Sequence, residues 1–402
     1  MLSLIFIVGD LIFFYLHENI FMEIIRPYVL SSRPLYNQSG KILYQTSEIE
    51  GQKEPDNALD FFNIGRYEIS KPEEKQDRNE FKADFPAFFT HDDYEEAIHF
   101  RDYSSGNYKP GKDTTSMFDE IFTNLKKTDK ILYIYLHGFG NNANKEKEKQ
   151  VIPMIHSYFP HSGNYHSPVG DMIFLTWPSQ GFTEYKYGER DDVSKMANMT
   201  TVFILKLYHF VKNKSNSLFA DWEPKIVFHS QSMGSKILLQ TAQRILFLEG
   251  ANMIKKGLLN NFFYRIVMTG ADIDTDALNE TPNDNNEELH RFAKRVILFS
   301  NKKDVALWIS RFIFLSGKRL GRHLDEEGMK ALPKNVDIIE LTGKKSDPVG
   351  HNYFTEETAV ITGLQKVLSE FYFDGVALEN RGRKIHIDLN DATIKGEWMQ
   401  MA

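Results

Sequence analysis

The sequence predicts an α/β fold: a mostly parallel, doubly wound sheet with helices on both faces. Two observations carry that prediction. From about residue 130 onward, six short and continuously apolar runs recur. Segments of helical period separate most of them. Strands buried on both faces read as continuous apolar runs rather than as an alternation. Their interleaving with amphipathic helices marks βαβ units, whose right-handed crossovers build a doubly wound layer.

Taken in order, residues 1–40 hold an apolar N-terminal segment, LSLIFIVGDLIFFYL at 2–16 with Asp10 in its middle. No Lys or Arg precedes this run and no small-residue cleavage site follows, so a secretory signal is not predicted. It is shorter than the ~20 residues that cross a bilayer, unless it continues past His17, Glu18 and Asn19. The expectation is either a docked helix in a soluble protein or an interfacial anchor giving peripheral membrane association through residues 2–16. Residues 41–129 read as a loop-rich extension with edge strands, because 45–85 are rich in Glu, Lys, Asp and Asn.

Residues 130–373 form the α/β unit. Its apolar runs are ILYIYLHG (131–138), MIFLTW (172–177), KIVFHS (225–230), RIVMTGADI (265–273), RVILFS (295–300) and VDIIEL (336–341). Helical patterns lie between them in VIPMIHSYF, in VSKMANMTTVFILKLYHFV, after Ser232 and in ALWISRFIFL. Thr355 is read as the N-cap of a last helix with an apolar face of Val360, Ile361, Leu364, Val367, Leu368 and Phe371. Residues 374–402 are a polar tail expected to pack loosely.

Composition narrows the function classes. The 402 residues are 42% hydrophobic and 13% aromatic, enough for one deep core. The net charge of −7 gives no electrostatic reason to expect nucleic acid. The absence of cysteine excludes disulfides, thiolate metal sites and a Cys nucleophile, and it favours an intracellular, cytoplasmic location.

Active sites of open parallel sheets form beyond the carboxyl ends of the strands. After the first run comes a Gly-containing loop, His137 to Asn142, able to aim the N–H groups of Phe139 or Gly140 at a developing oxyanion. After the third run, S-x-S-x-G places Ser232 in a strand–turn–helix context, with small residues Ser230 and Gly234 on either side. That is the setting of a nucleophile elbow, although an ordinary helix N-cap has the same look. On the elbow reading, the Met233 N–H lies at a helix N-terminus that favours negative charge. After the fifth run comes Asp304, and after the sixth a polar loop ends in His351. A hydroxyl attacks only once a base takes its proton, and the imidazole needs a carboxylate to hold its tautomer.

Several short strings carry a resemblance: LHGFGNN (136–142), TWPSQGFTEYKYGERDD (176–192), SQSMGSK (230–236), GADID (270–274), SNKKDVALWIS (300–310) and GHNYF (350–354). With these the chain resembles the α/β-hydrolase fold family, most closely a poorly characterised bacterial branch with a loop-rich N-terminal extension. The resemblance covers roughly residues 60–370 and implies Ser232 as nucleophile, Asp304 as acid and His351 as base. Gln231 departs from it, since a His usually precedes the nucleophile in this family.

Rival readings stand beside these. Asp304 can be a helix N-terminal charge, and Asp272, after the preceding strand, is the alternative acid. His351 can be a surface histidine of a loop. His137 is read as structural, bonding within its loop. His156, His161 and His166 are read as a polar loop rather than a metal site. Trp177, Tyr185 and Tyr187 are expected at the substrate entrance, with Asp192 there or capping a helix. The expectation is a serine hydrolase that cleaves a carboxylic ester or related acyl bond of a small molecule through an acyl-Ser232 intermediate, with no metal or organic cofactor. The alternatives are a catalytically silent scaffold that binds a partner or lipid, and an acyltransferase using the same triad.

Overall fold

All six apolar runs become strands of one sheet. In the computed structural model the described residues are 6–8, 11–13, 24–25, 28–32, 35–38, 41–44, 63–67, 69–70, 87–89, 112–139, 154, 168–177, 179, 189–215, 217–278, 288–314, 318–322, 324, 326–342, 349–368, 383–389 and 394–398. The early strands are β1 (Phe6–Val8), β2 (Leu11–Phe13), β3 (Ile24–Ile25), β4 (Tyr28–Ser31), β5 (Leu35–Gln38), β6 (Lys41–Tyr44), β7 (Asn63–Tyr67), β8 (Ile69–Ser70) and β9 (Ala87–Phe89). Next come α1 (Lys112–Thr128), β10 (Ile131–Leu136), β11 (Val169–Thr176), α2 (Glu189–Asn213), β12 (Ile226–Gln231), α3 (Met233–Gly250), β13 (Phe263–Thr269) and β14 (Ala293–Asn301). The chain continues through α4 (Val305–Phe314), α5 (Glu326–Lys330), β15 (Val336–Thr342), α6 (Tyr353–Glu356), α7 (Thr358–Leu368), β16 (Arg383–Asp388) and β17 (Ile394–Trp398).

The main sheet has the order β17-β16-β15-β14-β13-β12-β10-β11-β4-β7-β9-β6-β5. Every neighbouring pair from β16 to β4 is parallel, which makes an eight-stranded parallel centre. Antiparallel strands finish both edges: β17 on one side, and β7, β9, β6 and β5 on the other.

The continuous apolar runs are explained by two cores, one on each face. Successive side chains of a strand point to opposite faces. In β10, Leu132, Ile134 and Leu136 enter one cluster while Ile131, Tyr133 and Tyr135 enter the other. The first cluster is covered by α1, α2 and α3, the second by α6 and α7. Helix α1 shows why it docks: Met117, Phe118, Ile121, Phe122 and Leu125 form one buried stripe. Phe122 stacks on Phe210 of α2 at 5.7 Å and meets Phe219 edge-on at 5.4 Å. Each such buried side chain contributes roughly 1.5–3 kcal/mol.

Three expectations are corrected. Within residues 2–16 the docked helix does not form: β1 and β2 pair antiparallel, Ile7 opposite Ile12. The sequence signal was Gly9-Asp10 between two apolar triplets, a hairpin pairing. The tail is not loosely packed throughout. Arg383–Asp388 adds a parallel strand to β15 and buries Ile385 and Ile387. Thr355 does not cap the last helix. It lies inside α6, whose N-cap is Asn352, and the chain turns extended at Glu357 before α7 begins at Thr358. The predicted apolar face holds, with Val360, Leu364, Val367 and Leu368 buried; Phe371 lies outside the described residues. Among the described residues, no helix is long and apolar enough to cross a membrane.

Candidate active site

The sheet places the site. Strand β10 is flanked by β11 on one side and β12 on the other, so the order of strands reverses there. Chains leaving the carboxyl ends at such a switch point part in opposite directions and open a crevice. The loop after β10 and the turn after β12 both face it.

Ser232 forms the turn between β12 and α3, with φ 52° and ψ −121°. A residue with a side chain pays strain for that conformation, and it persists only where its surroundings fix it. The backbone supplies the restraint. The Ser232 N–H donates to Thr269 O at 2.9 Å, and its carbonyl accepts from Ser235 N–H at 3.0 Å and Asp272 N–H at 3.2 Å. Its side chain makes no capping hydrogen bond, so the N-cap reading does not describe what the hydroxyl does. The turn also needs small neighbours. A Cβ on Gly234 would sit 2.6 Å from Leu136 O and 2.8 Å from His137 O. Ser230 is tolerated because it turns inward, its Oγ 3.1 Å from Ser235 Oγ.

Asp304 and His351 meet. His351 Nδ1 lies 2.6 Å from Asp304 Oδ2. A carboxylate oxygen accepts, so Nδ1 carries the proton and Nε2 keeps its lone pair. Asp304 is fully buried, and its other oxygen accepts the Leu307 N–H at 2.9 Å. The residue is therefore both the cap of α4 and the partner of His351. Two ties hold the segments together: Val305 N–H donates to Val349 O, and Asn301 Nδ2 donates to Gly350 O, each at 2.9 Å. Asp272, the rival acid, is engaged by Ser310 Oγ at 2.6 Å and by Arg319 Nε at 3.0 Å.

Gly270, at the end of β13, brings the histidine and serine segments close. It takes φ +54°, and a Cβ there would lie 3.0 Å from His351 Cε1 and 3.6 Å from Asp304 Oδ2. The imidazole thus rests over bare backbone, one residue after the carbonyl that holds Ser232. Tyr353 OH accepts the Gly270 N–H at 2.5 Å and donates to Phe299 O at 3.2 Å. Burial, with the Asp304 charge added, pushes this phenol well above its ordinary pKa. Nothing in the string GHNYF assigns Tyr353 a task. Only its distant partners show one.

The loop after β10 is tied by His137. Trp177 N–H donates to His137 Nε2 at 3.1 Å, so the ring proton is on Nδ1, which donates to Gly138 O at 2.7 Å. Trp177 stacks on that ring at 5.5 Å and its Nε1–H donates to His137 O at 3.2 Å. Trp177, expected at the substrate entrance, is instead 1% exposed, because its indole packs against the loop. Gln231 is also buried, and its Oε1 accepts the Gly138 N–H at 2.8 Å. Asp192 sits buried in the first turn of α2. Behind the elbow, burial pushes the His229 imidazole down to about 3; Tyr133 OH is 2.5 Å from its Nδ1 and Thr269 Oγ1 2.8 Å from its Nε2.

Of the expected oxyanion donors, Met233 begins α3 and Phe139 follows the tied Gly138. Gly140, Tyr185, Tyr187 and the histidines at 156, 161 and 166 lie outside the described residues. Among the described residues, no group of three or more His, Asp and Glu side chains is placed to hold a metal ion.

A family model described as alpha/beta hydrolase of unknown function (DUF900) matches residues 113–370. No curated protein matches the chain. Among solved structures, an extracellular α/β-hydrolase from a Paenibacillus species is 13% identical, covering 64% of this chain and 90% of its own at a TM-score of 0.20. The carboxylesterase CesB (YbfK) from Bacillus subtilis is 10% identical, covering 68% of this chain and 90% of its own at a TM-score of 0.19. A type II thioesterase of yersiniabactin biosynthesis, YbtT, is 10% identical, covering 65% and 86% at a TM-score of 0.21. Likenesses this weak add nothing about chemistry.

Proposed function

The chain belongs to the α/β-hydrolase family whose model spans residues 113–370, and from that premise we propose that it is a serine hydrolase acting on a carboxylic ester or related acyl bond. The observation that carries the reading is the 2.6 Å pair of His351 Nδ1 and Asp304 Oδ2, with the imidazole against Gly270, next to the Thr269 carbonyl that holds the backbone-strained Ser232. His351 Nε2 takes the Ser232 hydroxyl proton as Oγ attacks the acyl carbon. Asp304 holds the tautomer and stabilises the imidazolium. The Met233 N–H, at the start of α3, and the Phe139 N–H donate to the carbonyl oxygen as it gains charge. The leaving alcohol departs with the proton from His351, giving the acyl-serine. Water, deprotonated by the same nitrogen, then releases the acid and restores the hydroxyl.

The test is covalent labelling. A fluorophosphonate probe should label the wild type and fail on Ser232→Ala, and hydrolysis of short p-nitrophenyl esters should be lost in His351→Ala. Equal labelling of Ser232→Ala and wild type would remove Ser232 from the role.

A further inference from the structure

We infer that Gln231 is a positioning residue that sets the direction of the oxyanion loop, a task its buried amide performs across the crevice from β12 to β10. This rests on the hydrolase reading above and assigns one more residue to that site.

The peptide between His137 and Gly138 is held at both ends. Its carbonyl accepts from Trp177 Nε1 at 3.2 Å and its N–H donates to Gln231 Oε1 at 2.8 Å. The next peptide is held through its carbonyl, Gly138 O, which accepts from His137 Nδ1 at 2.7 Å. A trans peptide is planar, so its C=O and N–H point in opposite directions. Fixing Gly138 O toward the His137 ring therefore fixes the Phe139 N–H on the other side. Three side chains thus determine where that donor aims, and Gln231 is the one contributed by the strand that carries the nucleophile.

The packing is close. Gln231 is 2% exposed, and a Cβ on Gly138 would lie 2.4 Å from its Oε1 and 2.7 Å from Ser232 Cβ. The loop lies directly on the elbow, with no slack for the amide to be replaced by a larger group. The Gly138 N–H is committed to Gln231 and is not the oxyanion donor. An oxyanion donor is worth most when it is already aimed before charge develops. Gln231 supplies aim, and it touches no reacting atom.

The experiment compares Gln231→Met, which keeps the length and removes the acceptor, with Gln231→Glu, which keeps an accepting oxygen. In Gln231→Met, kcat per fluorophosphonate-titrated site should fall roughly tenfold or more, part of what loss of a whole oxyanion donor costs. KM should stay within about twofold, because the ground-state carbonyl gains little from the hole. Affinity for a trifluoromethyl ketone, whose hemiketal mimics the oxyanion, should fall in step with kcat, a change that a packing role alone would not produce. Gln231→Glu should recover part of the ketone affinity. Site titration counts only competent molecules, so partial unfolding of a variant does not blur the comparison. Trp177→Phe releases the other end of the same peptide and should lower kcat in the same selective way. If labelling depends on Ser232 but Gln231→Met keeps wild-type kcat and ketone affinity, this inference fails alone. If Ser232→Ala labels normally, the parent reading fails instead.

Discussion

Gly234 shows how much of the Ser232 turn is decided by one missing carbon. A methyl group there meets two carbonyl oxygens, Leu136 O at 2.6 Å and His137 O at 2.8 Å, both main-chain atoms that cannot swing away. Gly234→Ala should therefore cost about 1–3 kcal/mol, the range for overpacking a filled interior. Its urea midpoint should move to lower concentration, and a midpoint equal to wild type would contradict the close approach. At this scale the sequence was only partly legible. Ser232, Asp304 and His351 could each be proposed because each follows an apolar run, and Asp304 and His351 are found bonded at 2.6 Å. Asp304 is preferred to Asp272 although both stand at strand ends, and the local sequence alone does not separate them; what separates them is that the Asp304 carboxylate lies against the imidazole. Gln231 could be marked as unusual but not explained. Its partner, Gly138, is far away in the chain, and nothing local in SQSMG points to it.

At the scale of an element, α4 begins on the residue that orients the histidine. One Asp304 oxygen caps the helix through the Leu307 N–H and the other meets His351. Asp304→Asn separates the two tasks. Asparagine oxygen can still accept from Leu307, while its NH2 group faces the imidazole and disfavours the proton on Nδ1. On the proposed reading the thermal midpoint should move little, whereas kcat should fall on the order of 10⁴-fold, as the same exchange does in a known serine triad. Parallel losses of stability and activity would instead make Asp304 chiefly a cap. Some long helices were legible: VSKMANMTTVFILKLYHFV lies within α2 and ALWISRFIFL coincides with nearly all of α4, whereas α1 falls in the stretch read as a loop-rich extension with edge strands. Short pieces were not. Thr355 looked like a cap because Thr often is one, yet Asn352 starts a single turn before it and Glu357 interrupts the helix after it. Among the described residues, α4 also leaves Trp308 and Phe312 exposed, their rings 4.7 Å apart.

For the whole molecule, the sheet's centre was the readable part and its margins were not. Strands buried on two faces must be apolar throughout, which is why β10 to β15 stood out. β4 is only four residues long and β16, RKIHID, alternates polar with apolar residues, so tertiary pairing rather than composition makes them strands. The double-sided core also has a pH signature. His229 is wholly enclosed between β10 and β13, and burial holds its pKa at about 3 against an ordinary 6.5. Between those values the unfolded chain takes up a proton that the folded chain refuses. Stability should be fully present above about pH 6.5 and fall as pH drops through the window, by up to about 1.4 kcal/mol per unit from this one group. Urea unfolding at about pH 7 and pH 5 should thus differ by roughly 2 kcal/mol more in wild type than in His229→Gln. Equal differences would mean that the imidazole is protonated in the folded state.

The same sheet constrains time as well as energy. Strand β4 leaves the N-terminal region early, yet its parallel partner is β11, with Tyr28 opposite Ile173. During synthesis β7 can cover one edge of β4 early, but the other edge must wait for β11, which places that pairing among the distant contacts that fold slowly. Until then an apolar strand edge stays open, the condition under which a nascent chain associates with the wrong partner. The order of the strands therefore lets β4 be secured early on its β7 side and only late on its β11 side.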